Sequence, residues 1–110
     1  MTKSVLEAAF LQAWRAFAPD APPPVSEYRF YSERRFRVDF AWVEQHVCVE
    51  VQGGVWTRGR HTRGAGYERD AIKLNLLQLL GWRCFYVTAS MLRDPEAVVK
   101  LVRKALSNGA

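Results

Sequence analysis

Asp39 and Glu50 interrupt two otherwise apolar, strand-like runs within "FRVDFAWVEQHVCVEVQGG", residues 36–54. An antiparallel hairpin with its turn centred on Glu44 and Gln45 sets Asp39 opposite Glu50 and Arg37 opposite Gln52. Residues paired in this way hold their Cβ atoms roughly 4.5–5.5 Å apart on one face. Alternation then puts Gln52 on the face of Glu50 and turns Val49 and Val51 to the other side. Two carboxylates aimed at one point suit a hard divalent cation. They suit equally an ion-pair network on an exposed face, with Arg37 and a neighbouring basic side chain neutralising the acids. An odd-length turn would separate the pair onto opposite faces. The residues by themselves leave these readings open.

Further groups with chemical potential follow the acids. The segment 53–66, "GGVWTRGRHTRGAG", carries Trp56, Arg58, Arg60, His61 and Arg63 among glycines. Glycine permits close backbone approach, and guanidinium groups grip phosphates in a bidentate manner. The alternative is a solvated basic loop, but its place beside the acid pair favours a binding role. Trp56 is suited to stacking on a base or wedging a duplex, or to anchoring the loop. Asp70 and Lys73 are three apart and share a helical face. They form either a plain surface ion pair or a device in which Lys73 leans over the acids and Asp70 sets its position. Arg34, Arg35 and Arg37 make a second basic cluster, with Arg34 and Arg35 at a strand entrance, in solvent or on a nucleic-acid backbone. His46 and His61 lack zinc-ligand spacing to each other or to either cysteine.

The elements that must position these groups are legible. Residues 4–17 place Leu6, Phe10, Ala13, Trp14 and Phe17 on one helical stripe, with Ser4 and Glu7 in capping-box spacing. "APDAPPP" ends that helix. Strands are predicted at 27–31, 35–42, 46–52 and 82–88. A helix is predicted from about Tyr67 to Leu80, its apolar stripe formed by Ile72, Leu76, Leu79 and Leu80 and its C-terminus capped by Gly81. The last helix, 94–106, opens with Asp94 as N-cap and Pro95 at the first helical position. The order α-β-β-β-α-β-α predicts a mixed α/β domain spanning residues 1–110. The strands at 46–52 and 82–88, joined through a helix, are expected to be parallel neighbours. Trp14, Phe36, Phe40, Trp42, Trp82 and Phe85 read as core.

The 110 residues fit one domain, and 49% apolar with 25% charged content is globular, not disordered. Sixteen Lys and Arg give a net charge of +5, a prior for nucleic acid or another acidic partner. No apolar run reaches the roughly 20 residues of a spanning helix, and the N-terminus lacks the pattern of a signal peptide. Cys48 and Cys84 in apolar surroundings read as reduced thiols. A cytoplasmic protein with no membrane association is expected.

"RVDFAW", "CVEVQGG" and "GRHTRGAGYERDAIKLNLLQLLGWRCFYVT" together resemble the PD-(D/E)XK nuclease superfamily. The likeness is to small phage- and prophage-type endonucleases, and more distantly to very-short-patch repair endonucleases and Holliday-junction resolvases. The resemblance covers nearly the whole chain and is carried by GRH-x-RG-x-G, D-x-x-K-x-N and GW joined to the two acids. It implies a restriction-endonuclease-like mixed sheet with helices on both faces. The implied activity is a Mg²⁺-dependent endonuclease acting on DNA, with Mn²⁺ as a substitute ion. The implied metal ligands are Asp39, Glu50 and the carbonyl of Val51, completed by an acid that is Glu7 or Glu27. Gln52 stands where the pattern has lysine; glutamine can orient water but carries no charge and is no base at neutral pH. Lys73 is the implied replacement cation, or a second ion takes that role. His61 joins the catalytic set, and Arg35, Trp56, Arg58, Arg60 and Arg63 the DNA-binding set. Cutting two strands or a junction would imply a homodimer. The alternative is a non-catalytic DNA-binding module on the same fold, with Gln52 marking lost chemistry.

Overall fold

The computed structural model describes residues 1–53 and 64–108. Helix α1 (Lys3–Phe17) precedes strands β1 (Val25–Arg29), β2 (Arg37–Trp42) and β3 (Val47–Gln52). Helix α2 (Ala65–Leu79), strand β4 (Arg83–Thr88), a 3-10 turn at Met91–Arg93 and helix α3 (Pro95–Ser107) follow. The strands form one mixed sheet in the order β1-β2-β3-β4. β1–β2 and β2–β3 are antiparallel, and β3–β4 is parallel. The architecture is therefore mixed α/β, and the crossover through α2 joins parallel neighbours as expected.

The helix ends obey local chemistry. Asp94 caps α3 by accepting from the Ala97 N–H at 3.3 Å, with Pro95 at the first position. Gly81, at φ 82°, ends α2: its N–H donates to the Gln78 carbonyl and that of Trp82 to the Leu77 carbonyl. That pair of bonds is a Schellman closure, and the left-handed backbone explains the glycine. The capping box expected at Ser4 is not formed. Thr2 is the N-cap, its hydroxyl accepting from Val5 N–H at 3.3 Å, so Ser4 lies inside α1.

The sheet buries both faces. On one, Leu6, Phe10 and Trp14 of α1 and Val98, Val99 and Val102 of α3 pack over Phe40, Trp42, Val49, Val51 and Val87. Trp14 and Trp42 lie 4.8 Å apart, and both indole N–H groups donate to the carbonyl of Pro22, at 3.1 and 2.9 Å. The proline segment thus supplies the acceptor that two buried indoles need. On the other face, Leu77 and Trp82 cover Val38, Ala41 and Cys48. Cys48 and Cys84 are free thiols, and no helix among the described residues is long and apolar enough to cross a membrane.

Two expectations are corrected here. β1 is shifted, starting and ending two residues early, and the other three strands start later than predicted, with Arg35 and Phe36 preceding β2. His46, at φ 55°, belongs to the turn and not to β3. Secondly, α2 does not bury Ile72, Leu76, Leu79 and Leu80. Leu77 is its buried residue and Leu79 is 79% exposed. The helix is rotated so that Lys73, Leu74 and Leu77 face the sheet. A hydrophobicity pattern misses this phase because one member of the inward face is a lysine, held there by an acid on β3.

Candidate metal centre

The β2–β3 ladder runs from Trp42–Val47 to Phe40–Val49 and stops one step before Asp39 and Glu50. There the side chains replace the backbone partners. Asp39 N–H donates to Glu50 Oε2 at 3.0 Å, and Val51 N–H donates to Asp39 Oδ2 at 2.7 Å. The β1–β2 ladder likewise passes over the Glu27–Asp39 position. Glu27 has φ 53°, a left-handed conformation that is strained for a residue with a side chain. The alternation of faces changes at this gap, since Val38 packs under α2 while Phe40 packs under α1. Asp39 is thus set in an interruption of both its ladders, and its carboxylate is oriented by the amide of the neighbouring strand.

Both acids are buried, Asp39 at 6% and Glu50 at 8% exposure, so they do not lie on an exposed face. Neither is paired with Arg37, whose guanidinium reaches Glu27 at 3.7 Å. Lys3 of α1 approaches Asp39 Oδ1 at 3.1 Å, and Lys73 of α2 bonds to Glu50 Oε1. Burial pushes the Glu50 carboxyl above its ordinary value and the Asp39 charge adds to this, while Lys73 works the other way. Burial opposes the charge on Lys3, but its hydrogen bond to Asp39 and the charges of Asp39, Glu50 and Glu7 outweigh that and raise its pKa.

Glu7, Glu27 and Asp39 bring carboxylate oxygens within 4.8 Å of one another. Glu7 and Glu27, expected as alternatives for one place, are both present beside Asp39. Glu50 is not a member of this group and faces α2 instead. Glu7 is pushed above its ordinary pKa by burial and then by the charges of Asp39 and Glu27. Such crowding of hard oxygen donors fits an alkaline-earth cation. Trans ligands on Mg²⁺ are about 4.2 Å apart at its ~2.1 Å bond length. An ion bound to all three acids would therefore draw half-exposed Glu7 and exposed Glu27 inward, or take one through a water. The donor set fits Mg²⁺ or Mn²⁺ better than zinc.

Two clefts flank the acids. One, of about 190 Å³, is lined by Glu50, Val51, Gln52, Asp70, Lys73 and Tyr86. The other, of about 290 Å³, has Asp39 and Glu27 in its wall with Arg35, Arg37 and Arg69 around them. Lys3, Asp70 and Lys73 line both. Gln52 shares the face of Glu50 as expected, with Val49 and Val51 turned into the opposite core. Asp70 and Lys73 do share a helical face, yet the Lys73 ammonium is on Glu50. Trp56, Arg58, Arg60, His61 and Arg63 lie outside the described residues.

Sequence reasoning missed three members of this site: Lys3, Arg69 and Tyr86. Lys3 had a signal, since it stands four residues before Glu7 on the same helical face. Arg69 similarly precedes Lys73 by four; together with Arg34 it stacks on buried Phe36, at 5.3 and 4.6 Å from the ring centre. Tyr86 pairs across from Glu50 on the parallel strand β4, a contact that only the sheet order reveals.

Gly53 lets α1 reach the site. A Cβ there would lie 3.0 Å from Lys3 Cα and 3.1 Å from Lys3 N. These are backbone atoms, so the start of α1 itself would have to shift to make room. Gly53→Ala is expected to cost about 1–3 kcal/mol, read as a lower urea midpoint with an unchanged slope.

Comparison with protein-family models, with curated proteins and with solved structures gives no match.

Proposed function

We propose that this protein is a metal-dependent DNA endonuclease with a restriction-endonuclease-like core, hydrolysing phosphodiester bonds with Mg²⁺ or Mn²⁺. The observation that carries this reading is the gap in the β2–β3 ladder. Two buried carboxylates are oriented there by opposing backbone amides, beside two further acids and beneath a basic rim. Glu7 is held above its ordinary pKa by burial first and then by the charges of Asp39 and Glu27. A divalent ion relieves that crowding, and the Arg35, Arg37 and Arg69 rim suits a polyanion.

In this reading Asp39, Glu7 and Glu27 would hold the ion, with Glu50 and the Val51 carbonyl as the further donors that the family resemblance implies. The ion, when bound, lowers the pKa of water and offsets charge on the phosphate oxygens. Gln52 orients the attacking water by accepting and donating hydrogen bonds. Lys73, within hydrogen-bonding reach of Glu50, supplies positive charge at the cleft wall. The arginines fix the phosphate backbone and carry no sequence information of their own.

A second reading, a DNA-binding module without turnover, draws on one observation: Lys3 and Lys73 already pair with Asp39 and Glu50. Supercoiled plasmid incubated with the protein and Mg²⁺, Mn²⁺ or EDTA separates the two. The proposed function expects ion-dependent conversion to nicked circles. Plasmid shifted in a gel but left intact with every ion would overturn it in favour of the second reading. Binding under either reading weakens steeply with added salt.

A further inference from the structure

We propose that Lys3 is a displaceable counter-ion: its ammonium holds Asp39 Oδ1 until a divalent cation takes that oxygen, and is then released toward the anion entering the cleft. The inference rests on the metal-dependent reading above and adds a residue and an order of events to it.

Four observations carry it. First, Lys3 is the first residue of α1, at the positive end of the helix dipole, where a cation is unfavourable. The first turn of α1 has no acid, whereas α2 and α3 carry Glu68 and Glu96 there. Helix stability does not explain a lysine at this place. Secondly, Gly53 admits the backbone of Lys3 itself, so the residue is seated against the end of β3 by close packing. Thirdly, the two oxygens of Asp39 have different partners. Oδ2 is fixed by the Val51 amide at 2.7 Å, a rigid element of the sheet. Oδ1 is met at 3.1 Å by a lysine whose side chain is 51% exposed and free to swing. On this proposal an ion bound by Asp39 takes Oδ1, the oxygen that no backbone amide fixes. Fourthly, Lys3 lines both clefts, so a displaced ammonium has open space on either side.

The consequence is competition. One carboxylate oxygen cannot serve a divalent ion at about 2.1 Å and an ammonium on the same side without strong repulsion between the cations. Metal binding therefore includes the cost of breaking the Lys3–Asp39 pair, and the freed ammonium supplies the mobile positive charge that Gln52 does not.

The test is calorimetric titration of Mn²⁺ alone into four folded proteins: wild type, Lys3→Met, Lys3→Arg and Asp39→Asn. Lys3→Met is expected to bind Mn²⁺ about fivefold to tenfold more tightly than wild type. Lys3→Arg keeps the competing charge and stays near wild type, and Asp39→Asn binds at least tenfold more weakly. Equal or weaker Mn²⁺ binding by Lys3→Met, with wild type binding normally, overturns the counter-ion role and leaves the nuclease reading standing. Absence of Mn²⁺ binding in all four overturns both. Thermal melts without ion check folding: the exposed position of Lys3 predicts that Lys3→Met remains folded with a modestly lower Tm.

Discussion

Asp39→Asn is expected to reduce ion-dependent plasmid cleavage by about 100-fold or more while leaving the chain folded. Asparagine keeps the shape of aspartate and one carbonyl oxygen, enough to accept the Val51 amide. It loses the charge that would hold an ion and that now attracts Lys3. The buried environment matters to the size of the effect. At 6% exposure Asp39 has little solvent to substitute for a lost ligand, whereas loss of exposed Glu27 would be partly covered by water. Glu27→Gln should therefore cost less than Asp39→Asn in the same assay, and that ranking follows from burial alone.

The same substitution has an effect independent of turnover. Glu7 is held above its ordinary pKa by burial and by the charges of Asp39 and Glu27. Removing the Asp39 charge removes one of those causes. The Glu7 carboxyl in Asp39→Asn should titrate at lower pH than in wild type, measured by NMR of its side-chain carbonyl carbon. The sign for stability follows by linkage. A carboxyl whose folded pKa is raised binds more protons folded than unfolded, so it takes stability away as pH rises from its ordinary value through the raised one. Asp39→Asn should flatten the Glu7 part of that loss. A Glu7 titration unmoved by Asp39→Asn would contradict the crowded geometry.

The hairpin was readable because its information is local. Alternation, a four-residue turn and two acids at matching distances from it fix which residues stand opposite, and the observed pairs of Phe40 with Val49 and Ala41 with Cys48 follow that register. The break in the ladder was not readable. It depends on Glu27 adopting φ 53° and on side chains taking over amide partners, neither of which leaves a periodic trace. The phase of α2 is hidden for a related reason. Leu76, Leu79 and Leu80 are the stronger apolar signal, but Glu50 draws Lys73 inward and turns Leu79 to solvent. A buried charge pair between distant segments overrode the local pattern. Lys3 was hidden by convention: a lysine near a chain start reads as solvated until the packing against Gly53 is known.

That charge pair sets the second large effect. Lys73→Met removes the cation from Glu50, which is buried together with its partner at 10% and 19% side-chain exposure. Breaking such a pair strands a carboxylate away from water, at about 3 kcal/mol, the lower end of the range because Lys73 keeps some solvent contact. A Tm drop of roughly 10 °C or more follows for a domain of this size. Burial already raises the Glu50 pKa and Lys73 is what opposes that shift, so the variant raises it further. Its folded state then binds a proton that the unfolded state has released, and stability falls as pH rises through that window. The deficit relative to wild type should shrink as pH is lowered below neutrality, because Glu50, its pKa raised by burial, takes up a proton. Lys73→Met combined with Glu50→Gln removes the stranded charge while an amide oxygen still accepts from Asp39 N–H. The double variant should recover most of the lost Tm and none of the cleavage activity. Recovery of stability without the acid separates the structural part of the pair from its part in chemistry. If the single variant melts like wild type at pH 7, Lys73 is not what makes a buried Glu50 tolerable, and the account of α2's orientation fails with it.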